Sequence, residues 1–232
     1  MFRYSNLISR YVKNVKNNSV RPISFRSIKK IWSIYFGKTS PGGKPPYDHI
    51  CQIGDPVLRI IAEPIDLKTI ETEEFQKGLD HMYEVMKKYD TIGLAAPQIG
   101  FSWRVFAIEI TEKYLKEVER NTRIICAMEA QPLIYFVNPK LTVIDSTELV
   151  FQEMCASINS FQADVPRAKE IEIKALDRFG NPFTWRARNW LARVAQHEND
   201  HLCGVLYTDR MLPLSFEYCF WKNYNQNDGR VA

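Results

Sequence analysis

Paired cysteines, long apolar runs and histidines are all scarce in this chain of 232 residues. The five cysteines form no CxxC pair and are odd in number, which argues against a disulfide framework and favours a reducing compartment. The apolar runs stop well short of the roughly 20 residues that a membrane-spanning helix needs. With 45% hydrophobic and 25% charged residues, the composition is that of a globular protein with a substantial core.

Acidic residues are absent from positions 1–47, which carry ten lysines and arginines. The rest of the chain holds 21 basic and 27 acidic residues, so its net charge is negative although the whole chain is at +4. A basic segment rich in Ser and Asn, without the unbroken apolar core of a secretory signal, is typical of an organellar transit peptide. The alternative is that this segment is a basic arm that binds nucleic acid. The negative remainder argues against stable nucleic-acid binding.

The Pro/Gly-rich stretch 39–46 predicts a linker between this segment and a folded domain. We therefore divide the chain into a transit peptide with linker at 1–46, a catalytic domain at 47–212 and a polar, aromatic C-terminal tail at 213–232. The Arg/Lys-rich segment predicts import into the mitochondrial matrix, and a plastid is the weaker alternative.

Hydrophobic periodicity predicts two helices and several antiparallel strands, a pattern of the α+β class. The helices are Glu73–Tyr89 and Trp190–Leu202. The strands are Arg104–Ile110, Leu133–Val137, Leu141–Val150, and a hairpin of Glu170–Leu176 with Phe183–Arg188. Small residues at 93–100 predict a loop, and Asn138-Pro139 predicts the end of a strand.

The segment Gln196-His-Glu-Asn-Asp-His201 lies in the second helix. His197 and His201 are four residues apart, so they share one helix face and can bind one divalent metal. Glu198 is rotated off that face, where it can act as a general acid/base without binding the metal. The alternative is a surface helix with two incidental histidines, although the chain has only four.

Two histidines are an incomplete site, because catalytic zinc-type sites use three protein ligands. A zincin-type metallopeptidase would take a downstream His or Glu. No His follows His201, and Glu217 lies in the aromatic tail. Cys155 is a soft donor suited to a transition metal, while buried packing is the commoner role of a single cysteine. Both third ligands stay open on this reasoning.

Three segments, in order, closely resemble the peptide deformylase family. They are Gly93-Leu-Ala-Ala-Pro-Gln98, Glu153-Met-Cys155-Ala-Ser157 and Gln196-His-Glu-Asn-Asp-His201. The resemblance implies an α+β enzyme with antiparallel sheets packed around the metal-binding HExxH helix. It implies removal of the formyl group from the N-terminal formylmethionine of nascent polypeptides, with possible partners including the ribosome, contacted transiently. One divalent ion is implied, Fe²⁺ first and Zn²⁺ or Co²⁺ as alternatives, held by Cys155, His197 and His201.

The same resemblance implies a role for five further residues. Glu198 is implied to carry the proton, and Gln98 with the backbone N–H of Ala156 to bind the developing oxyanion. Asp200 is implied to pair with Arg167, the alternative being a solvated helix charge.

Four residues are expected to contact substrate: Gly93, Met154, Trp190 and Val194. Trp190 and Val194 share a helix stripe with the two histidines, so they either floor a methionine pocket or belong to the core. Met154 stands where the family usually has Gly. This departure, with the basic arm, leaves a weakly active or non-catalytic ribosome-associated relative as an alternative to the enzyme.

Overall fold

The computed structural model describes residues 45–230. The predicted transit peptide and nearly all of the predicted linker lie outside the described residues. Within them, no helix has the length and apolar character needed to cross a membrane. The predicted boundaries at 46 and 212 stay predictions.

Six antiparallel strands form one sheet in the order β1-β2-β3-β4-β5, with β6 paired to β4. The strands are β1 Gly93–Ala95, β2 Val105–Ile110, β3 Gln131–Cys155, β4 Ile158–Leu176, β5 Pro182–Arg188 and β6 Glu217–Tyr218. The long hairpin of β3 and β4 is its largest part. The predicted hairpin of Glu170–Leu176 with Phe183–Arg188 is confirmed.

Within residues 45–230, six α-helices accompany this sheet. They are α1 Leu67–Ile70, α2 Glu73–Tyr89, α3 Glu112–Glu117, α4 Arg120–Cys126, α5 Asn189–Leu202 and α6 Trp221–Gln226. Short 3-10 turns cover Pro56–Arg59, Ala96–Ile99 and Tyr207–Asp209. Helices and an antiparallel sheet together confirm the α+β class.

Helix α2 has the predicted bounds because both of its ends are capped. The Thr72 side chain accepts a hydrogen bond from the Phe75 N–H, and Asp90 ends the helix in the left-handed conformation. Its apolar stripe is buried against β1 and the start of the sheet.

Two local predictions are wrong. Asn138-Pro139 does not end a strand: Asn138 adopts a φ of 52°, the ladder shifts its register there, and β3 continues. The Asn138 side chain compensates by bonding the backbone N–H and C=O of Ile65. The segment 93–100 is not a loop throughout, since it contains β1 and the Ala96–Ile99 turn.

Helix α5 is central, as predicted, and contacts each of the strands β1 to β5. Its buried side chains include Ala192, Ala195 and Leu202, which pack against the sheet. The helix ends where Gly204 adopts a φ of 69°; a Cβ there would lie 2.8 Å from the backbone of Arg59. The HExxH segment is therefore held inside the fold.

Candidate metal centre

The three predicted metal ligands meet between β3 and α5. Cys155 is the last residue of β3, while His197 and His201 lie one turn apart on α5. Their ligand atoms lie within 4.8 Å of one another. The Cys155 Sγ is 3.3 Å from His201 Nε2, and both residues are buried. One thiol and two imidazoles fit a divalent transition metal.

The protonation state of Cys155 also suits a metal. Burial raises the pKa of the Cys155 thiol, but His201 and His197 outweigh it and hold that pKa well below its usual value. A thiolate is the form that binds metal. His197 Nδ1 lies 3.0 Å from Glu153 Oε2, which leaves Nε2 on the side of the cluster. A carboxylate on the far nitrogen of a ligating histidine is a common way to orient it.

Glu153 belongs to the candidate site although no role was predicted for it. Arg167 donates to both of its oxygens at 2.9 Å, and Arg193 donates to Oε1 at 2.6 Å. Burial raises the pKa of Glu153, yet the hydrogen bonds from His197 and Arg167 hold it well below the usual value. The signal was in the sequence: residues two apart on a strand share one face, so Glu153 accompanies Cys155.

Arg193 and Arg210 were also missed. Arg193 is buried and precedes His197 by four residues, so it lies on the same helix face. It also donates to the Val165 carbonyl at 2.8 Å, which ties α5 to β4. Arg210 binds Asp200 through Nε at 2.6 Å and Nη2 at 2.7 Å.

Asp200 pairs with Arg167, as expected. Its side chain is buried, so the alternative of a solvated helix charge is wrong. The Asp200 carboxylate links Arg167 to Arg210. A chain of ion pairs therefore runs from His197 through Glu153, Arg167 and Asp200 to Arg210.

Glu198 is buried beside the ligand cluster, and burial raises its pKa to about 7. Its Oε2 has no hydrogen-bond partner within residues 45–230. A Cβ on Gly93 would lie 2.5 Å from Glu198 Oε1. Glycine at 93 therefore makes room for the Glu198 carboxylate, a reason that is separate from the substrate contact expected of this residue.

Gln98 and Ala156 border the same space. The Gln98 Oε1 accepts a hydrogen bond from the Ala95 N–H at 2.8 Å, which turns the side-chain amide N–H group toward the predicted ligand Cys155. Its Nε2 lies 3.1 Å from Ser157 Oγ and 3.8 Å from Cys155 Sγ. Ala156 occupies the turn between β3 and β4.

A cavity of about 420 Å³ opens beside these residues. All four predicted substrate contacts line it: Gly93, Met154, Trp190 and Val194. Tyr114, from α3, also lines it and was not predicted.

Met154 lies inside β3 opposite Gln162 and does not have a positive φ. The side chain replaces the expected glycine without backbone strain. It is 65% exposed, so it stands at the mouth of the cavity.

Comparison with known proteins agrees with this geometry. Residues 47–217 match the family model described as polypeptide deformylase. The human mitochondrial peptide deformylase is 40% identical over 182 residues, covering 78% of this chain and 75% of the relative. The chloroplastic/mitochondrial peptide deformylase 1A of Arabidopsis thaliana is 34% identical over 212 residues, covering 91% and 77%. The crystal structure of the Thermotoga maritima peptide deformylase superposes with a TM-score of 0.59 at 32% identity, covering 71% and 97%.

Proposed function

Because this chain belongs to the peptide deformylase family, we propose that Cys155, His197 and His201 hold its metal and that Glu198 carries the proton. The protein is a metal-dependent hydrolase that removes the formyl group from the N-terminal formylmethionine of newly made polypeptides. The observation that carries the assignment of residues is the convergence of one thiol and two imidazoles beside a buried carboxylate at a cavity.

A divalent ion supplies Lewis-acid activation of water when it is bound. Glu198 accepts the proton of the attacking water and delivers it to the amine as the formyl C–N bond breaks. Formate and a free N-terminal amine leave. The buried position of Glu198 supports this role, as does its Oε2, which has no hydrogen-bond partner among residues 45–230 and can therefore contact water or the amine.

Gln98 and Ala156 stabilise the negative charge that develops on the formyl oxygen. The Gln98 amide is held by its bond from Ala95 and points toward Cys155, so it needs no reorganisation when the charge forms. Ala156 acts through its backbone N–H, which makes the identity of its side chain secondary.

The substrate's methionine side chain occupies the cavity. Trp190 and Val194 line it from α5, and Gly93 lines it from β1 and leaves room for the Glu198 carboxylate. Met154 narrows the mouth. Asp200 and Arg167 act indirectly. Asp200 pairs with Arg167, Arg167 binds Glu153, and Glu153 orients His197.

The bound ion is Fe²⁺ in this proposal, with Zn²⁺ and Co²⁺ as the alternatives. The set of one thiolate and two imidazoles is compatible with all three. Metal analysis of protein purified without oxygen distinguishes them.

Formate release tests the function. Protein purified anaerobically should release formate from formyl-Met-Ala-Ser and leave acetyl-Met-Ala-Ser intact, with close to one metal ion per chain. Cleavage of internal peptide bonds in the acetylated peptide would instead identify a zincin-type metallopeptidase. A metal-loaded protein that releases no formate from any formylated peptide would identify a non-catalytic relative.

The mitochondrial matrix is the proposed location, and a plastid is the alternative. One relative is mitochondrial and another is chloroplastic/mitochondrial. We expect residues 1–46 to direct a fluorescent protein to mitochondria, and a chain that begins at residue 47 to keep its deformylase activity. A metal-loaded but inactive truncation would show that the segment takes part in substrate binding.

Transient contact with the ribosome is also proposed, and cosedimentation with mitochondrial ribosomes tests it.

A further inference from the structure

Strand β6 brings an acidic side chain to the mouth of the substrate cavity. Glu217 is the register partner of Gln162 on β4, and Gln162 is the partner of Met154 on β3. Directly paired residues present their side chains on one face of a sheet. Gln152 shares that face because it is two residues from Met154. Two glutamines, Met154 and Glu217 therefore form one surface, which we name the mouth surface.

Glu217 holds the mouth surface together. Its Oε1 accepts hydrogen bonds from Gln162 Nε2 at 2.7 Å and from Gln152 Nε2 at 3.3 Å. Both glutamines line the cavity, and Gln152 is exposed. Because Glu217 contacts two residues that line the cavity, only one side chain separates its carboxylate from the space that the substrate enters.

The charge of Glu217 is not neutralised by a neighbour. Within residues 45–230 it forms no ion pair, and its Oε2 accepts no hydrogen bond. Arg193 lines the cavity, but it is buried and committed to Glu153 and to backbone carbonyls. Asp90 lines the cavity as well, together with the buried carboxylates of Glu153 and Glu198. Within residues 45–230, Glu217 therefore presents an unpaired carboxylate oxygen beside the mouth.

We propose that Glu217 is a specificity-determining residue that makes the enzyme favour lysine or arginine in the positions directly after formylmethionine. This rests on the proposed function, which puts the formyl group at Glu198 and the methionine side chain in the cavity. The substrate residues that follow the methionine then extend out of the cavity past Met154 and Gln152. A long basic side chain there can reach the free oxygen of Glu217, while an acidic one is repelled.

The test compares kcat/KM, measured by formate release, for formyl-Met-Lys-Ser, formyl-Met-Gln-Ser and formyl-Met-Glu-Ser. The wild type should prefer Lys over Glu. Glu217→Gln keeps the shape of the side chain and should lower the Lys:Glu ratio about fivefold, the upper end for an exposed ion pair. The rate on formyl-Met-Gln-Ser should stay within about twofold, which a merely structural role of Glu217 does not predict.

Glu148→Gln is the matched control. Glu148 is exposed on β3, the strand that carries Gln152, and it forms no ion pair within the described residues. It lies four residues before Gln152, about 13 Å along β3. Its removal should leave the Lys:Glu ratio unchanged. An equal fall in both variants would mean that net charge, and not Glu217, sets the preference, and would overturn the proposal.

Salt provides a second measurement on the wild type should Glu217→Gln lose stability or metal. The Lys:Glu preference should shrink between about 0.01 M and about 1 M salt, because the Debye length falls from about 30 Å to about 3 Å. Equal rates for the Lys and Glu peptides at low salt would overturn the proposal. Failure of the proposed function has a different signature, which is no formate from any of the three peptides.

Discussion

Cys155→Ala is expected to lower the bound metal below one ion per chain and to abolish formate release. In the proposed site the thiol is one of three ligands, and its Sγ lies 3.3 Å from His201 Nε2, so its loss leaves only the two imidazoles of α5. Metal binding also contributes to folding stability, because the assembled site does not exist in the unfolded chain. Elemental analysis and the thermal midpoint of the purified variant measure both effects.

Two further variants calibrate this result. Cys203→Ala should keep full occupancy, because Cys203 is exposed just beyond the end of α5 and is outside the ligand cluster. Glu153→Gln should be intermediate, with metal affinity lower by about 10- to 100-fold, the usual effect of losing the partner of a ligating histidine. Full metal occupancy in Cys155→Ala would contradict the assignment of this ligand.

Glu198→Gln is expected to lower kcat by about 10²- to 10⁴-fold while the metal content stays at the wild-type value. Glutamine has nearly the same shape and fits the same buried space next to Gly93, but it cannot accept and return a proton. Formate release under single-turnover and steady-state conditions, with metal analysis of the same sample, measures the effect.

Glu148→Gln serves again as the control, since it removes a carboxylate outside the cavity and should leave kcat unchanged. A Glu198→Gln variant that keeps the wild-type rate would assign proton transfer to another group. If that variant loses metal instead, the buried carboxylate of Glu198 helps to hold the ligands, and its role in proton transfer would need other support.

Local pattern explains how much of the fold was predictable. The i,i+4 spacing of His197 and His201 and the apolar stripe of α2 repeat with the helical turn, so they can be read without knowing the rest of the chain. The β4–β5 hairpin follows from alternation on both sides of a turn. The break predicted at Asn138 failed because its side chain satisfies the Ile65 backbone from another part of the fold, which allows β3 to continue.

The third ligand illustrates what spacing alone leaves open. Residue chemistry admitted both Cys155 and a downstream ligand of the zincin type, and the family resemblance was needed to choose. In the structure, the β3–β4 pairing and the docking of α5 bring Cys155 to His201 across 46 positions of chain. A one-residue slip of β3 would turn Cys155 to the other face of the sheet.

The sequence by itself determined the shared helix face of the two histidines and the class of fold, and it suggested the acid/base role proposed for Glu198, because helical and strand periodicities are local properties. Only the tertiary structure decided which charges share a buried network, why residue 93 is glycine, and which carboxylate stands at the mouth of the cavity. Glu153 with Arg193, Gly93 with Glu198, and Glu217 with Gln152 are each far apart in sequence. Their contacts depend on strand register and helix docking, which are set by burial of the whole core and not by any single segment.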